Sequence, residues 1–566
     1  FGSSFAQRQV SRYLNPLCQL DSMDGTRRAT SRYGDAQWTK FEGAEDCAIS
    51  TDQVPQAVQG LRNAFNSDKT LSREWRVGQL NAMIKLLQEG ASELQAAMLA
   101  DLHKSGFECL CTEISEVEAE CYEMLAHLDE WMKPETTKTS ALNWPAGSYT
   151  VQDPLGVVLV MGAWNYPVNL TLMPVVGAIA AGNCVLIRPG SYAVNTSHAM
   201  CRLVHKYLDR ECIRTAEGDR HLTTKILEQK FDMIFYTGSE FVGKIVAEAA
   251  AKHLCPTVLE LGGKSPTIVD RSAHITHAAE RIVWATFLNS GQTCVRPDFC
   301  LVHKDVAEQF FSALKKTIRT FYSEDAKKTE WFGRVINEKA YERLSDLVAK
   351  GKDAIAIGGD LDASQKYIEP TVFDFGSDLE AFQAQPIMQD EIFGPLLPVA
   401  RFSDIEEVVS FVRSLPTGKP LACYCYARDK AVINTISQRT SSGALCINDS
   451  VMHLANHELP FGGVGASGMG AYHGKYSFKS FTHQKAVLRK YPSIDEFPGM
   501  KQLLAARFPP YTALRRIAVK IFSMRVVMQS VNPPLKEIRS FAVRLLILVI
   551  CLRLGGYRVN LSKALP

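Results

Sequence analysis

The sequence predicts an α/β fold in which a parallel sheet is covered by helices on both faces. Three short apolar runs, at 157–161, 184–187 and 233–236, each end in a polar or Gly-containing turn. Stretches of helical length, 174–181 and 196–208, separate these runs. Strands that are apolar throughout and alternate with helices are typical of a sheet buried on both faces. Ligands of such sheets bind beyond the carboxyl ends of the strands, so we expect the functional site there.

Helices precede this sheet. Apolar residues recur at helical spacing within 54–65, 80–102 and 114–128, and they predict an antiparallel helical region with a break at Gly90. Residues 1–50 are polar without a sustained period, and we interpret them as a loose N-terminal extension.

A second α/β region follows Gly263. A helix predicted at 282–288 leads towards Cys294, and 421–426 has the composition of a buried strand. Residues 448–482 are rich in Gly, His and aromatic side chains, which indicates a crossing loop or an oligomerisation strand.

Composition and charge indicate a large multidomain globular protein and give no indication of nucleic-acid binding. The chain has 566 residues, 46% hydrophobic and 22% charged, so it can bury a large core and should form two or more domains. From Lys501 onward there are 12 Lys or Arg and one acid, so the net charge of +3 leaves −8 on the first 500 residues. A mildly acidic body does not indicate nucleic-acid binding.

Cysteine and histidine usage indicates the compartment and the absence of a metal site. Fifteen cysteines are scattered without CxxC pairs, which indicates a reducing compartment rather than a disulfide framework. We therefore expect a cytoplasmic protein. His453, His457 and His473 lack the spacing of metal ligands, so we interpret them as hydrogen-bonded loop residues and expect no metal.

The basic C-terminal segment contains an unbroken apolar run of eight residues at 545–552, flanked by Arg544 and Arg553. About 20 residues are needed to span a bilayer, so this run does not span one. Three interpretations stay open: a basic helix on the surface of an anionic membrane, a buried terminal helix, and a divergent chain end. The first predicts peripheral contact with the cytosolic face of a membrane.

Cys294 and Glu260 are the strongest catalytic candidates. Cys294 follows Gly291-Gln292-Thr293, and Glu260 ends an apolar run just before Gly262-Gly263. A thiolate can attack a carbonyl carbon, and a carboxylate can then activate water against the resulting thioester. A lone Cys is more often a small buried hydrophobe, and Glu260 can instead be a structural carboxylate paired with Lys264.

Other polar residues follow the predicted strands. The amide of Asn165 can donate to an oxyanion, although an Asn after a strand is most often a turn residue. The stretch from Gly238 to Gly243 joins a strand to a helix whose N-terminus can bind a pyrophosphate, a weak signal without the Lys of a P-loop. Glu391 and Phe393 can contact ribose and nicotinamide, and a turn with a solvated Glu explains them equally well.

Five motifs together resemble those of the aldehyde dehydrogenase family, over roughly residues 51–512. They are Trp164-Asn165-Tyr166-Pro167, Leu259-Glu260-Leu261-Gly262-Gly263-Lys264, Gly291-Gln292-Thr293-Cys294, Glu391-Ile392-Phe393-Gly394-Pro395 and Pro460-Phe461-Gly462-Gly463-Val464-Gly465. The stretches 468–478 and 507–511 resemble the class 3 and fatty aldehyde members in particular. In the fatty aldehyde members the second stretch precedes a membrane-anchoring tail.

The resemblance implies NAD- or NADP-dependent oxidation of aliphatic or aromatic aldehydes to carboxylic acids by a homodimer. Cys294 is then the nucleophile, while Asn165 and the Cys294 N–H hold the oxyanion. After hydride transfer to the nicotinamide, Glu260 activates water to cleave the thioester. The residues that the resemblance assigns to cofactor binding are Trp164, Arg188, Gly238, Ser239, Gly243, Gly262, Glu391 and Phe393.

The resemblance also implies a Rossmann-like cofactor domain, an α/β catalytic domain and a small bridging arm. Carried onto this chain, it gives a cofactor domain at 51–262, of which 138–150 contribute to the arm. The catalytic domain follows at 263–447 and the rest of the arm at 448–482. Residues 483–566 form the basic tail.

Some positions depart from the family pattern. Lys-Pro-Ser-Glu is common where this chain has Arg188-Pro189-Gly190-Ser191, and the loss of the carboxylate should admit the 2′-phosphate of NADP. Glu240 should weaken pyrophosphate binding, 216–221 lacks the usual Gly-Pro loop, and Arg296 stands where a small residue is usual. An alternative is therefore a catalytically weak homologue with a structural or binding role. A CoA-acylating enzyme is disfavoured, because that reaction has no need of Glu260.

Overall fold

The computed structural model describes residues 47–139, 143, 146–490, 508–513 and 515–516. Two mostly parallel sheets with helices between their strands dominate this part of the chain, which confirms the predicted α/β class. Almost all of the predicted N-terminal extension lies outside the described residues. The apolar run near the C-terminus also lies outside them, so its three interpretations stay predictions.

The helical region comes first. Its three long helices are Val54–Asn66, Arg73–Leu102 and Ser115–Trp131. The predicted break at Gly90 is wrong, because the second helix continues through it. A Cβ at Gly90 would lie 2.6 Å from the Cδ1 atom of Leu203, so the glycine allows two helices to pack closely rather than ending one.

The first sheet has six strands, and all but its edge strand Gly468–Met469 are parallel. Its order is Gly468–Met469, Thr257–Glu260, Met233–Thr237, Val157–Met161, Cys184–Arg188 and Ile213–Thr215. The helices that connect its parallel strands are Asn169–Ala181, Val194–Tyr207, Arg220–Leu227 and Glu240–Ala251. The three central strands are the predicted apolar runs, and every residue in them is buried, as two covered faces require.

The second sheet has seven strands, of which only the edge strand Ile355–Ile357 is antiparallel. Its order is Ile355–Ile357, Thr371–Asp374, Leu396–Phe402, Phe299–His303, Pro266–Val269, Ala422–Tyr426 and Ala444–Ile447. The helices in this region are Ile275–Phe287, Ala307–Tyr322, Glu338–Lys350, Leu379–Gln383, Ile405–Arg413 and Lys430–Arg439. The helix before Cys294, predicted at 282–288 from its apolar pattern, begins earlier in the structure, at Ile275.

A third, antiparallel sheet is formed by Glu135–Thr137, Ala146–Pro154 and Thr482–Lys490. Almost all of the last strand lies in residues that we assigned to the tail. It pairs with Ala146–Pro154, part of which we assigned to the arm. Residues 448–482 do not form a continuous strand: they contain the short strand Gly468–Met469, which pairs beside Glu260, and the helix Gly474–Ser480. Within the described part of the chain, no helix combines the length and apolar character needed to cross a membrane.

Candidate active site

A strained loop presents Cys294. The nucleophile loop, as we call Asn289–Cys294, follows the helix Ile275–Phe287 and begins with three consecutive residues of positive φ: Asn289 at 52°, Ser290 at 53° and Gly291 at 72°. A left-handed backbone is costly for non-Gly residues and persists only where the surroundings enforce it. At Gly291 a Cβ would lie 2.2 Å from the carbonyl oxygen of Gly394, so the loop also approaches that segment closely.

Asn165 lies against the nucleophile loop. Its Nδ2 atom donates to the carbonyl oxygen of Gln292 at 3.0 Å, and the Nδ2 atom of Asn289 donates to the carbonyl oxygen of Asn165 at 2.7 Å. A third bond joins the Tyr166 hydroxyl to the Thr293 Oγ1 at 2.7 Å. These bonds bring the motif around Asn165 to the segment that ends at Cys294. They also supply part of the support that its left-handed turn needs.

A buried ion pair that the sequence analysis missed supports Asn165. Lys104 and Glu113 are both fully buried, and the Nζ atom of Lys104 lies 2.6 Å from the Glu113 carboxylate. The same Nζ donates to the carbonyl oxygen of Asn165 at 3.1 Å, and Glu113 accepts from the N–H of Val168 at 2.9 Å. Five charged residues lie within 98–117, and nothing in the sequence singles out Lys104 and Glu113 as the buried pair.

Glu260 ends the strand Thr257–Glu260 at the carboxyl edge of the first sheet and is 2% exposed. Neither of its carboxylate oxygens has a hydrogen-bond partner. Burial raises its pKa well above the usual value, because a carboxylate loses solvation there. The alternative of a Glu260–Lys264 pair is wrong: Lys264 is paired with Asp298 instead. An unpaired buried carboxyl group of this kind is suited to act as a base.

Cys294 and Glu260 are close enough to influence each other. Burial raises the pKa of the Cys294 thiol well above its usual value, and the carboxylates of Glu391 and Glu260 add to this effect. These surroundings favour the neutral thiol over the thiolate, so nucleophilic attack requires a nearby positive charge or base. The interpretation of Cys294 as an ordinary buried hydrophobe does not explain the two carboxylates near it.

Four of the residues assigned to cofactor binding, Gly262, Glu391, Phe393 and Trp164, form two close pairs. A Cβ at Gly262 would lie 1.9 Å from the Glu391 Oε2, so that carboxylate packs directly on the glycine backbone. Phe393 has a φ of 50°, and its ring centroid lies 5.4 Å from that of Trp164 in an edge-to-face arrangement. Burial, with Asp298 and Asp390 nearby, raises the pKa of Glu391. The Glu391 carboxylate also acts on the thiol of Cys294, so these residues lie near the nucleophile.

The turn from Gly238 to Gly243 opens the helix Glu240–Ala251. The Ser239 Oγ caps this helix by accepting from the N–H of Val242 at 3.4 Å, and Gly238 packs beneath the Tyr236 hydroxyl. A Cβ at Gly243 would lie 2.7 Å from Leu261, so this glycine serves helix–strand packing. A capped helix N-terminus favours anions.

Glu240, which we expected to weaken that N-terminus as an anion site, has an ion-pair partner. Its carboxylate lies 2.7 Å from the Nζ atom of Lys244, one helical turn away. The pair is exposed and screened by solvent, so it removes only part of the repulsion.

Arg188 is turned into the protein. Its Nε donates to Thr223 at 3.1 Å, Nη2 donates to Ser191 at 2.7 Å and to the carbonyl oxygen of Gly218 at 2.8 Å, and Nη1 bonds the carbonyl of Pro189. Every nitrogen of the guanidinium group is engaged, and the residue is 5% exposed. Arg188 therefore holds the loop at 216–221, and its predicted contact with the cofactor would have to be made through that loop.

Two of the three histidines behave differently from the prediction. His457 makes the expected contacts, at 2.8 Å to Glu120 and 3.4 Å to Glu116, and these carboxylates raise its pKa to about 9. Both ring nitrogens of His453 and the Nδ1 of His473 are buried without a hydrogen-bond partner, and burial lowers the pKa of each ring to about 4.

Comparison with known proteins points in one direction. A family model described as "Aldehyde dehydrogenase family" matches residues 39–487. The chain is 41% identical over 473 residues to aldehyde dehydrogenase family 3 member B1 of Rattus norvegicus. The aligned residues make up 84% of this chain and 98% of that relative. It is 42% identical over 466 residues to aldehyde dehydrogenase family 3 comG of Dictyostelium discoideum, covering 82% of this chain and 96% of the relative.

Solved structures agree. The substrate-bound state of Staphylococcus aureus AldH matches with a TM-score of 0.79 and 38% identity, over 83% of this chain and 99% of the other. An NADP-dependent enzyme of E. coli matches with a TM-score of 0.71 and 23% identity, over 78% of this chain and 91% of the other, which shows a common fold.

Proposed function

This chain belongs to the aldehyde dehydrogenase family and is an oxidoreductase that acts on aldehydes, and we propose that it works through a Cys294 thioester. The reaction converts an aliphatic or aromatic aldehyde, NAD or NADP, and water into a carboxylic acid, the reduced dinucleotide and a proton. The observation that carries this proposal is the convergence of Asn165 and the nucleophile loop, with the buried Glu260 carboxyl beside Cys294.

In the first half of the reaction, the Cys294 thiol gives its proton to water, and its Sγ forms a bond to the carbonyl carbon while the carbonyl π bond opens to give a thiohemiacetal oxyanion. The Nδ2 atom of Asn165 carries two hydrogens, and its bond to Gln292 uses one of them. The second hydrogen, together with the N–H of Cys294, donates to the oxyanion. Fixed donors of this kind stabilise the charge without reorganising during the reaction.

In the second half, Glu260 takes a proton from water while the water oxygen bonds to the thioester carbon. The carbon–sulfur bond breaks, and Cys294 returns to its starting state. A carboxyl group with a raised pKa is a stronger base than an ordinary Glu once it is ionised. The absence of hydrogen-bond partners on its oxygens leaves them open to a water molecule.

NAD or NADP, when bound, supplies the hydride acceptor and a positive ring near the thiol. The residues present fit such a group. Gly262 leaves space that a side chain would fill beside the Glu391 carboxylate, and Phe393 and Trp164 form an aromatic edge next to it. The helix N-terminus capped by Ser239 offers backbone N–H groups to a pyrophosphate.

A direct assay tests the proposal. Purified protein is mixed with NAD or NADP and a ladder of aliphatic and aromatic aldehydes, and reduced dinucleotide is measured by absorbance. We expect turnover with at least one pair and none with Cys294→Ala, which should still bind the dinucleotide. Normal turnover by Cys294→Ala would overturn the assignment of the nucleophile. Failure to bind either dinucleotide at millimolar concentration would favour the alternative of a non-catalytic homologue.

We also propose that the protein is a homodimer. Three large apolar side chains on or just after the helix Glu240–Ala251 are exposed: Phe241 by 75%, Ile245 by 41% and Leu254 by 92%. Apolar patches of this kind are typical of protein–protein interfaces. Light scattering should report twice the chain mass for the native protein and the single mass for Phe241→Glu combined with Leu254→Glu. A native monomer would contradict the proposal.

Finally, we propose a cytoplasmic protein whose tail contacts the cytosolic face of a membrane. Two features of the sequence support this membrane contact. From Lys501 onward there are 12 Lys or Arg and only one acid, and the apolar run at 545–552 lies in the same segment. In a flotation assay with anionic liposomes, the full chain should float and a protein truncated after Thr512 should not. Equal recovery of both in the soluble fraction would remove the idea.

A further inference from the structure

The residues assigned to the nicotinamide side lie on a loop that charged side chains hold at both ends. We name residues 387–396 the cofactor loop; it contains Glu391 and Phe393. At its start, the Nζ atom of Lys264 donates to the carbonyl oxygens of Ile387 at 2.9 Å and Asp390 at 3.0 Å. The loop has no regular structure between its short first turn and the strand Leu396–Phe402, so its shape depends on such bonds.

The other end of the cofactor loop is held by Arg296. Its Nη1 donates to the carbonyl oxygen of Gly394 at 2.6 Å, and its Nη2 donates to that of Leu396 at 2.8 Å. In the middle, the N–H of Ile392 donates to the Asp298 carboxylate at 3.1 Å. Each backbone group named here bonds a charged side chain, and such bonds are about twice as strong as neutral ones.

These three charged residues form one buried network. Asp298 accepts from Arg296 at 3.2 Å and is also paired with Lys264. Their side chains are at most 1% exposed. Burying three charged side chains costs solvation free energy, and apolar side chains of similar volume often give a more stable protein. We therefore expect the network to have a role other than stabilising the fold.

The position of Arg296 indicates that role. It stands two residues after Cys294, so one short segment carries the nucleophile and grips the cofactor loop. The nucleophile loop also packs directly on the cofactor loop, because the Cα of Gly291 leaves no room for a side chain beside the carbonyl of Gly394. The sequence resemblance led us to expect a small residue at 296, which would reach none of these carbonyls.

We propose that Arg296 is a positioning residue that couples the nucleophile loop to the cofactor loop and thereby sets how Glu391 and Phe393 meet the nicotinamide. The proposal rests on the function proposed above. Hydride transfer needs the thiohemiacetal carbon and the nicotinamide in register, and small displacements lower such rates strongly. Hydrolysis of an activated ester by the same cysteine needs the nucleophile, the oxyanion donors and the water-activating base, but no dinucleotide. Arg296 therefore matters for the first reaction and not for the second.

The test compares two reactions of the full chain. Arg296→Met keeps the length of the side chain without its donors, and Arg296→Lys keeps the charge with a single donor nitrogen. We expect Arg296→Met to lower kcat for aldehyde oxidation about tenfold or more and to raise the KM for the dinucleotide several-fold. Hydrolysis of p-nitrophenyl acetate without dinucleotide should stay within about twofold of the native rate. The kcat and the dinucleotide KM of Arg296→Lys should lie between those of the native protein and those of Arg296→Met.

A matched control separates positioning from general stability. Arg76 is another buried arginine, 4% exposed, and it donates to the carbonyl oxygens of Thr70, Ala180 and Leu71 far along the chain from the two loops. Arg76→Met should change oxidation and ester hydrolysis by the same factor. A second readout is the isotope effect of an aldehyde deuterated at C1, which should increase in Arg296→Met as hydride transfer becomes limiting.

Two results would overturn the coupling: equal loss of both activities in Arg296→Met, or unchanged oxidation in that variant. Both results differ from failure of the proposed function itself. If the proposed function were wrong, the native protein would oxidise no aldehyde, whatever residue stands at 296.

Discussion

The side-chain amide of Asn165 donates a 3.0 Å hydrogen bond to the carbonyl oxygen of Gln292, two residues before Cys294. The bond joins segments that are 127 residues apart in the chain. It fixes the orientation of the amide and uses one of its two hydrogens. Asn165 thus connects the first sheet to the nucleophile loop, and in the proposed mechanism its second hydrogen is the donor to the substrate oxygen.

Replacement of Asn165 by Ala should therefore reduce catalysis strongly. Loss of one oxyanion donor typically lowers kcat by about 10²- to 10³-fold, and here the nucleophile loop also loses a support. The measurement is steady-state aldehyde oxidation. The matched control is Asn81→Ala, because Asn81 makes a similar 2.8 Å bond to the carbonyl of Val77 on the exposed face of the helix Arg73–Leu102. Similar kinetics for both variants would contradict a role of Asn165 in catalysis.

Replacement of Glu260 by Gln should separate the two halves of the reaction. Acylation of Cys294 does not need the base, whereas hydrolysis of the thioester does. We expect a burst of reduced dinucleotide close to one per active site, followed by a steady rate lowered by about 10²-fold or more. Rapid-mixing absorbance measures both phases. An absent burst with a normal steady rate would show that Glu260 is not the base for hydrolysis.

The same substitution should stabilise the protein at neutral and alkaline pH. Because burial raises the folded-state pKa of Glu260 above its unfolded value, the folded protein holds this proton more tightly. Stability from this group is therefore greatest below the unfolded pKa and is lost as the pH rises towards the folded pKa. The amide introduced by Glu260→Gln cannot ionise, so the Tm of this variant should exceed that of the native protein by a margin that grows as the pH rises above the usual pKa of a Glu side chain. An equal Tm at every pH would contradict the unpaired burial of the carboxylate.

Gly262→Ala should weaken cofactor binding without unfolding the protein. A Cβ at this position would lie 1.9 Å from the Glu391 Oε2, so the carboxylate must move away from its place beside Cys294. We expect the KM for the dinucleotide to rise about tenfold or more, since Glu391 would no longer meet the ribose. Steady-state kinetics with varied dinucleotide provide the measurement.

Gly78→Ala is the control for that variant. Gly78 lies in the helix Arg73–Leu102, and a Cβ there would meet nothing within 4 Å. The change should leave the KM unaltered and raise stability by about 0.5–1 kcal/mol, as expected for alanine in a helix. A normal KM for Gly262→Ala would show that the Glu391 carboxylate does not contact the cofactor.

The strands of the first sheet were predictable because burial on both faces leaves a continuous apolar run. The run at 157–161 therefore has the bounds of the strand Val157–Met161. Cys294, Glu260 and Asn165 could be proposed as site residues because Glu260 ends a strand before a Gly-rich turn, and the other two follow a helix or a strand at a polar turn. Such turns at the carboxyl edge of a parallel sheet carry the ligand site.

The supporting residues could not be predicted, because their partners are distant in the chain. Lys104 bonds the carbonyl of Asn165 across 61 residues, and Arg296 bonds that of Gly394 across 98. Backbone carbonyls leave no pattern in a sequence, so a side chain that binds them looks like any other Lys or Arg. The predicted helix break at Gly90 was wrong for a related reason. Glycine is favoured both where a helix ends and where two helices pack closely, and the sequence alone does not distinguish the two cases.

Arg188→Met should raise the KM for NAD and for NADP by a similar factor. Every nitrogen of the Arg188 guanidinium group bonds within the protein, and two of its bonds hold Gly218 and Thr223 beside the expected adenosine site. The residue therefore shapes that site through the loop at 216–221 rather than through the 2′-phosphate. Steady-state kinetics with each dinucleotide should give an unchanged ratio of the two kcat/KM values. A selective loss of NADP activity would instead mean that Arg188 leaves its internal partners and binds the phosphate, which would restore the predicted contact between Arg188 and the cofactor.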